Sequence, residues 1–231
     1  MRKTHINADM SHENRFSYQF GEFLDSLKTH GIFPTIRKIG QRFYYKVKGI
    51  DFATQNIYDL TRTGEYTEHG TALVSTSKDF FAQLMSDLGN FVSTPIEKNV
   101  FIDYGSGKGA AIIHAKAFGF KRTIGVEFAK ELNDIALENI QKLNLKNIES
   151  LYADATTYSP PKDVSIIYLF NPFDSVVMEK VIANLKQEKQ NFENDVYLIY
   201  GNASCHLIED NLELLGKKVY PSGATADFYK I

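Results

Sequence analysis

Four short stretches of this 231-residue chain carry residues whose types and spacing could do chemistry. The first is Asp103-Tyr104-Gly105-Ser106-Gly107-Lys108-Gly109-Ala110. Glycines in such a run let the backbone turn tightly and approach a ligand closely, where a Cβ would collide. The unpaired N–H groups of a helix that follows favour a negatively charged or electron-rich ligand group. Three ligands compete for the loop. A phosphate-gripping P-loop needs Gly-x-x-x-x-Gly-Lys-Ser/Thr, and Lys108 is followed by Gly109, so that reading fails. A dinucleotide loop needs Gly-x-Gly-x-x-Gly/Ala, which Gly105, Gly107 and Ala110 satisfy. The third ligand is S-adenosylmethionine, for which an acid two residues before the first glycine is expected. Asp103 stands there. A carboxylate at that place suits the ammonium of a methionine moiety and repels a pyrophosphate.

The other stretches add acids and an amide. Glu127 lies 22 residues after Gly105 and can accept two hydrogen bonds from ribose hydroxyls. That supports an adenosine ligand without separating NAD from S-adenosylmethionine. Asp154, in Tyr152-Ala153-Asp154-Ala155, can accept from an adenine amino group while the Ala155 backbone reaches the ring. Asn171-Pro172-Phe173 offers a side-chain oxygen and a backbone carbonyl to an amine, and an aromatic ring to a flat or cationic acceptor.

These stretches need elements to position them. From Val100 onward, short apolar runs alternate with helical patterns, which is the signature of a parallel sheet covered by helices. Strands are expected at 100–104, 123–127, 148–152, 164–170 and 196–200, and helices at 108–118, 129–144 and after the capping pair Asp174 and Ser175. Leu207, Ile208, Leu212 and Leu215 suggest a further helix, and 217–220 with 227–231 suggest a closing hairpin around the turn sequence Pro221-Ser222-Gly223-Ala224. Upstream, Phe16, Phe20, Phe23, Leu24 and Leu27 fit a helix face, residues 35–48 read as strand or hairpin, and residues 79–88 as a helix capped by Thr76 or Ser77. Glu127 and Asp154 then follow successive strands, as the loop after Asp103 does, so the three acids line the edge of the sheet where open α/β folds bind ligands.

Taken together, DYGSGKG at 103–109, GVEF at 125–128, YADA at 152–155 and YLFNPF at 168–173 resemble the class I S-adenosylmethionine-dependent methyltransferases over residues 96–231. The resemblance implies a Rossmann-like, doubly wound, seven-stranded sheet, mostly parallel with a C-terminal antiparallel hairpin. It implies that Asp103, Gly105, Ser106, Gly107 and Gly109 surround the methionine part, that Glu127 binds the ribose, and that Asp154 and Ala155 bind the adenine. Asn171, Pro172 and Phe173 look like the Asn-Pro-Pro-Phe/Tyr motif of amino-methylating members, with one proline where that motif has two. The FNPF form is similar to that of a bacterial group whose resemblance adds no substrate.

Composition sets the outer limits. The single cysteine, Cys205, excludes an internal disulfide framework, and no Cys/His cluster has zinc-site spacing, so no metal is expected. No apolar run could span a bilayer, and the opening MRKTHINADMSHEN lacks the core of a secretory signal, so a cytoplasmic protein without a membrane partner is expected. Net charge is −2, unevenly spread: nine basic and four acidic residues up to Ile50, 17 and 24 beyond it. The stretch holding Arg37, Lys38, Arg42, Lys46 and Lys48 with Phe43, Tyr44 and Tyr45 could track a nucleic-acid strand. An edge ribbon guarded by lysines accounts for it more simply, so nucleic acid is not the favoured partner. Tyr66, His69 and Thr71 read as an ordinary loop that could line an acceptor site, His69 and His114 as structural or solvated rather than catalytic, and Lys108 as a helix-surface residue.

The reading that follows is a mainly helical extension, residues 1–95, shaping the acceptor pocket of a methyltransferase domain, residues 96–231. The enzyme would use S-adenosylmethionine to methylate a nucleophile, with nitrogen on a protein or small molecule favoured. Two rivals stand beside it: an NAD-dependent oxidoreductase, for which only about 130 residues follow Gly105, and a non-catalytic module binding nucleic acid or cofactor.

Overall fold

A computed structural model of the chain describes residues 32–54, 60–65 and 75–231. Two compact units, Met1–Gly49 and Ile50–Ile231, make up the chain. In the first, helix α1 runs from Ile32 to Lys48. The strand or hairpin expected at 35–48 is therefore a helix. The β-branched and aromatic content suggested a strand, but the apolar residues Ile32, Ile36, Ile39, Phe43 and Val47 recur at helical spacing, and the period decides. The helix expected around Phe16–Leu27 and the residues Tyr66, His69 and Thr71 lie outside the described residues.

The second unit is built on a seven-stranded sheet. Its strands are β1 (Val100–Tyr104), β2 (Arg122–Glu127), β3 (Ile148–Tyr152), β4 (Ile166–Phe170), β5 (Tyr197–Gly201), β6 (Glu213–Val219) and β7 (Thr225–Lys230). They lie in the order β3-β2-β1-β4-β5-β7-β6. The first five in this order pair in parallel, and β7 runs antiparallel to both β5 and β6. The helices are α2 (Lys78–Leu88), α3 (Ala110–Phe118), α4 (Lys130–Lys142) and α5 (Ser175–Glu188). The Rossmann-like, mostly parallel sheet with an antiparallel end is the architecture that the sequence implied.

Burial explains the order. Strands β1 and β4, VFIDY and IIYLF, are apolar nearly throughout because both faces are covered. Alternate side chains go to opposite layers. Val100, Ile102 and Tyr104 join Ile167, Leu169, Leu198 and the inner face of α5. Phe101 joins Tyr168, Ile199 and Phe228 under α2 and α3, where Phe81 meets Phe101 edge-on at 5.6 Å. At the margin, β6 is largely exposed and carries Lys217 and Lys218, which discourage pairing with another edge. Helix α2 starts at Ser77, whose hydroxyl accepts from the Phe80 N–H at 3.2 Å, and α5 at Asp174, which accepts from the N–H groups of Val176 and Val177.

The helix expected from Leu207 to Leu215 is absent. A single 3₁₀ turn, His206–Ile208, gives way to β6, because pairing with β7 recruits Glu213 onward and leaves Leu214 exposed. The hairpin is accordingly longer than the sequence suggested.

Ile102, fully buried in the central strand, measures the strength of this core. Ile102→Ala is expected to lower unfolding free energy by about 3 kcal/mol in urea titration. A loss under about 1 kcal/mol would mean that the sheet is not packed as described.

Candidate functional site

The strand order reverses between β1 and β4, so a crevice opens beyond their C-terminal ends. The glycine loop leaves β1 there, and Asn171-Pro172 leaves β4. The two loops touch. Gly105 has φ 78°, a left-handed conformation, and a Cβ built on it would strike the Pro172 ring. The loop is also bound to β2: the N–H groups of Gly105 and Ser106 donate to the Val126 carbonyl at 2.8 and 3.2 Å. The Ser106 side chain lies against Gly125, buried with its hydroxyl unpaired. Gly109 caps α3 and sits on Ala136, so its part is helix packing.

Two carboxylates are buried at this rim. Glu127 Oε2 accepts from the Gly107 N–H at 2.7 Å, and Oε1 from the Ala129 N–H at 2.9 Å. Burial nevertheless pushes Glu127 up to about 7. Asp103 is also buried, and burial, followed by the Glu127 carboxylate, pushes it well above the ordinary carboxylate range. A cationic ligand group stabilises the ionised forms that burial and mutual repulsion disfavour, so these acids fit the positively charged part of S-adenosylmethionine.

The adjoining cleft is lined by Gly105, Val126, Phe128, Ala155, Phe173 and Val177, with Asp154 and Thr63 at its polar margin. Its apolar walls suit an adenine ring. Asp154 Oδ1 accepts from the Thr156 N–H and hydroxyl, both at 2.8 Å, which fixes the carboxylate's orientation. Of the residues expected from the sequence, Asp103, Gly105, Glu127, Asp154 and Ala155 are gathered at one rim with Pro172. Phe173 is only 6% exposed and belongs to the cleft wall and core, so its ring is not open for stacking on an acceptor. Asn171 sits at φ 46°, and its Oδ1 accepts from the Tyr200 hydroxyl at 3.1 Å and from the Ser204 hydroxyl at 2.6 Å.

Several of these contributors escaped the sequence reading. Residues 60–65 form a strap over the rim: the Thr63 N–H donates to the Phe128 carbonyl, the Lys130 N–H to the Thr61 carbonyl, and Arg62 bridges Ala129. Gly64 lies so close to the Asp154 carboxylate that a Cβ would collide with it. Lys108, expected on a helix surface, is buried and pairs with Asp51 at 2.7 Å. Asn139 completes that latch, accepting from the Asp51 N–H and donating to the carbonyls of Asp51 and Lys108. Burial alone would push Asp51 up, but the Lys108 ammonium and the Ala53 N–H hold it below the usual range. A lysine between loop glycines, followed by the wholly apolar AAII, was the one signal that it is enclosed. His114 is structural, as expected: buried between Phe52 and Phe81, it is pushed down to about 4 by burial and then by Lys78.

The fold is that of the class I S-adenosylmethionine-dependent methyltransferases. Residues 79–227 match the family described as Conserved hypothetical protein 95, and the chain belongs to that family. It is similar to a tRNA (guanine-N(7)-)-methyltransferase of Pediococcus pentosaceus, 38% identical over 77 residues, or 32% of this chain and 36% of that protein. An uncharacterized protein of Methanocaldococcus jannaschii is 38% identical over 63 residues, covering 27% of this chain and 29% of the other. The chain thus spans about a third of the length of these curated relatives. In fold it is similar to an RNA methyltransferase from Salinibacter ruber in complex with S-adenosyl-L-homocysteine. That structure has a TM-score of 0.51 and 17% identity, over 68% of this chain and 94% of that one. A SAM-dependent methyltransferase from Aquifex aeolicus gives 0.51 and 16%, over 68% and 100%.

The contact between Gly105 and Pro172 leads to a direct test. Gly105→Ala is expected to weaken S-adenosylhomocysteine binding by about a hundredfold or more in calorimetry, with the circular dichroism spectrum kept. Unchanged affinity would remove the glycine loop from the site.

Proposed function

We propose that the protein binds S-adenosylmethionine in this cleft and transfers its methyl group to a nitrogen on a protein or small-molecule acceptor. The observation that carries the reading is the pair of buried acids, Asp103 and Glu127, both held above their ordinary range beside the glycine loop. Asp103 faces the need for a cation, Glu127 suits ribose hydroxyls through its remaining lone pairs, and Asp154 with Ala155 suits the adenine end. The cofactor supplies a methyl group on a positively charged sulfur, which is already a good leaving group. The protein's task is therefore to hold an acceptor lone pair in line and to keep water out.

In this reading the acceptor enters beside Asn171 and Pro172, which the packing of Pro172 on Gly105 of the glycine loop supports. The Asn171 oxygen already receives two hydroxyl protons, so its amide is held in one orientation, and the Pro172 carbonyl is the further acceptor for an amine proton. Tyr200 and Ser204 thereby act as positioning residues. A second reading, a nitrogen on an RNA base, is favoured by what the names of the Pediococcus and Salinibacter proteins say of those proteins. Against it stands the surplus of acidic residues beyond Ile50, 24 against 17 basic, which disfavours approach of a polyanion.

The nitrogen reading is tested with a panel of amine-bearing acceptors and tritiated S-adenosylmethionine. Asn171→Ala should lower turnover by about a hundredfold and Tyr200→Phe by about tenfold, with the thermal shift given by S-adenosylhomocysteine unchanged. Full turnover in Asn171→Ala would take that residue out of the reaction. A thermal shift with NADH and none with S-adenosylhomocysteine would replace the reading by the oxidoreductase.

A further inference from the structure

Helix α1 has two properties that catalysis in the second unit does not use. Its apolar residues Ile32, Ile36, Ile39, Phe43 and Val47 fall within an arc of about 80° on a helix of 3.6 residues per turn. They are not buried: Ile32 is 65%, Ile36 59%, Phe43 67% and Val47 68% exposed. Large apolar side chains gathered on one exposed face mark an interaction surface. The rest of the helix is basic. Its 17 residues contain Arg37, Lys38, Arg42, Lys46 and Lys48 and no acid. On the wheel, Lys46 lies about 20° beyond the stripe on one side, Tyr44 about 60° beyond it on the other, and Lys48 about 100° beyond it on the polar face.

We propose that α1 docks this protein onto an anionic phospholipid surface, lying in the plane of the headgroups with its stripe in the upper acyl region. The choice rests on charge complementarity. RNA phosphates would pair with the lysines and arginines but leave Ile36, Phe43 and Val47 in water. An apolar protein groove would accept the stripe but gives no reason for Lys46 beside it, Lys48 on the polar face and a helix composition without any acid. A layer of lipid phosphates above hydrocarbon satisfies both faces, and Tyr44, beside the stripe, suits the boundary between them. No helix among the described residues is long and apolar enough to cross a membrane. An interfacial helix needs no such length, because its polar face stays in water.

The test uses the full chain, sedimented with vesicles of phosphatidylcholine alone and with phosphatidylglycerol added. Binding is expected only to the vesicles containing phosphatidylglycerol, and it should weaken as salt rises. Phe43→Asp should reduce partitioning about tenfold or more through the stripe, and Lys46→Glu with Lys48→Glu similarly through the flank. Melting temperatures check that each variant is folded. Binding that the variants leave unchanged, or no binding to either vesicle, overturns the proposal. Three further outcomes overturn it in favour of another occupant. Retention of polyuridylate that Lys46→Glu abolishes, with no vesicle binding, assigns the face to nucleic acid. A wild-type dimer by light scattering that Phe43→Asp dissociates, with no vesicle binding, assigns it to a second copy. A large fall in melting temperature in Phe43→Asp, with no vesicle binding by the wild type, assigns it to the chain's own packing.

Discussion

Burying two carboxylates side by side is costly, and the rim of this sheet does so with Asp103 and Glu127. That cost organises much around it. Glu127 must receive the N–H groups of Gly107 and Ala129 to remain in place. The glycine loop must therefore fold back over β2, which brings Gly105 against Pro172 and sets the distance between the loop after β1 and the loop after β4. Two acids whose ionised forms are disfavoured by burial discriminate for a ligand that brings positive charge. In the proposed reading, the cofactor's cation is what the pair is built to receive.

The residues before β1 are part of this rim. The Asp51–Lys108–Asn139 latch holds the chain just after Ile50 to the back of the glycine loop. It also gives Lys108 a partner, without which a buried ammonium would be expensive. The strap at 60–65 crosses the Asp154 end of the cleft, held by Phe128, Lys130 and Glu131, with Gly64 on the Asp154 carboxylate. Substitutions in this upstream segment would therefore act on the cleft.

Local features of the sequence proved readable and distant pairings did not. Strands β1 and β4 announced themselves as continuous apolar runs because they are covered on both faces. Asp103, Gly105, Glu127 and Asp154 were visible because each lies at or just beyond the C-terminal end of a strand. Residues 35–48 read as strand or hairpin by their β-branched and aromatic content, but the helical period of their apolar residues decides the outcome. The turn and strand after Leu207 were read as a helix because leucine spacing mimics one, while pairing with β7, a tertiary effect, decides the outcome. Tyr200 and Ser204 reach Asn171 from 29 and 33 residues away, and Asp51 reaches Lys108 from 57, so no local pattern foretold them. The burial of Phe173 likewise depends on α5, which takes its ring into the core.

The central claim is that buried acids at the sheet edge receive a cationic nucleoside. Calorimetric titration of the full chain with S-adenosylmethionine, near neutral pH and in two buffers of different protonation enthalpy, tests it most directly. Glu127 is held up to about 7 and Asp103 well above its usual range, and a bound cation favours the ionised form of each. Binding should therefore release protons, and affinity should strengthen as pH rises through about 7. Absence of binding heat in both buffers, or binding with no proton release and no pH dependence across that range, would contradict the account.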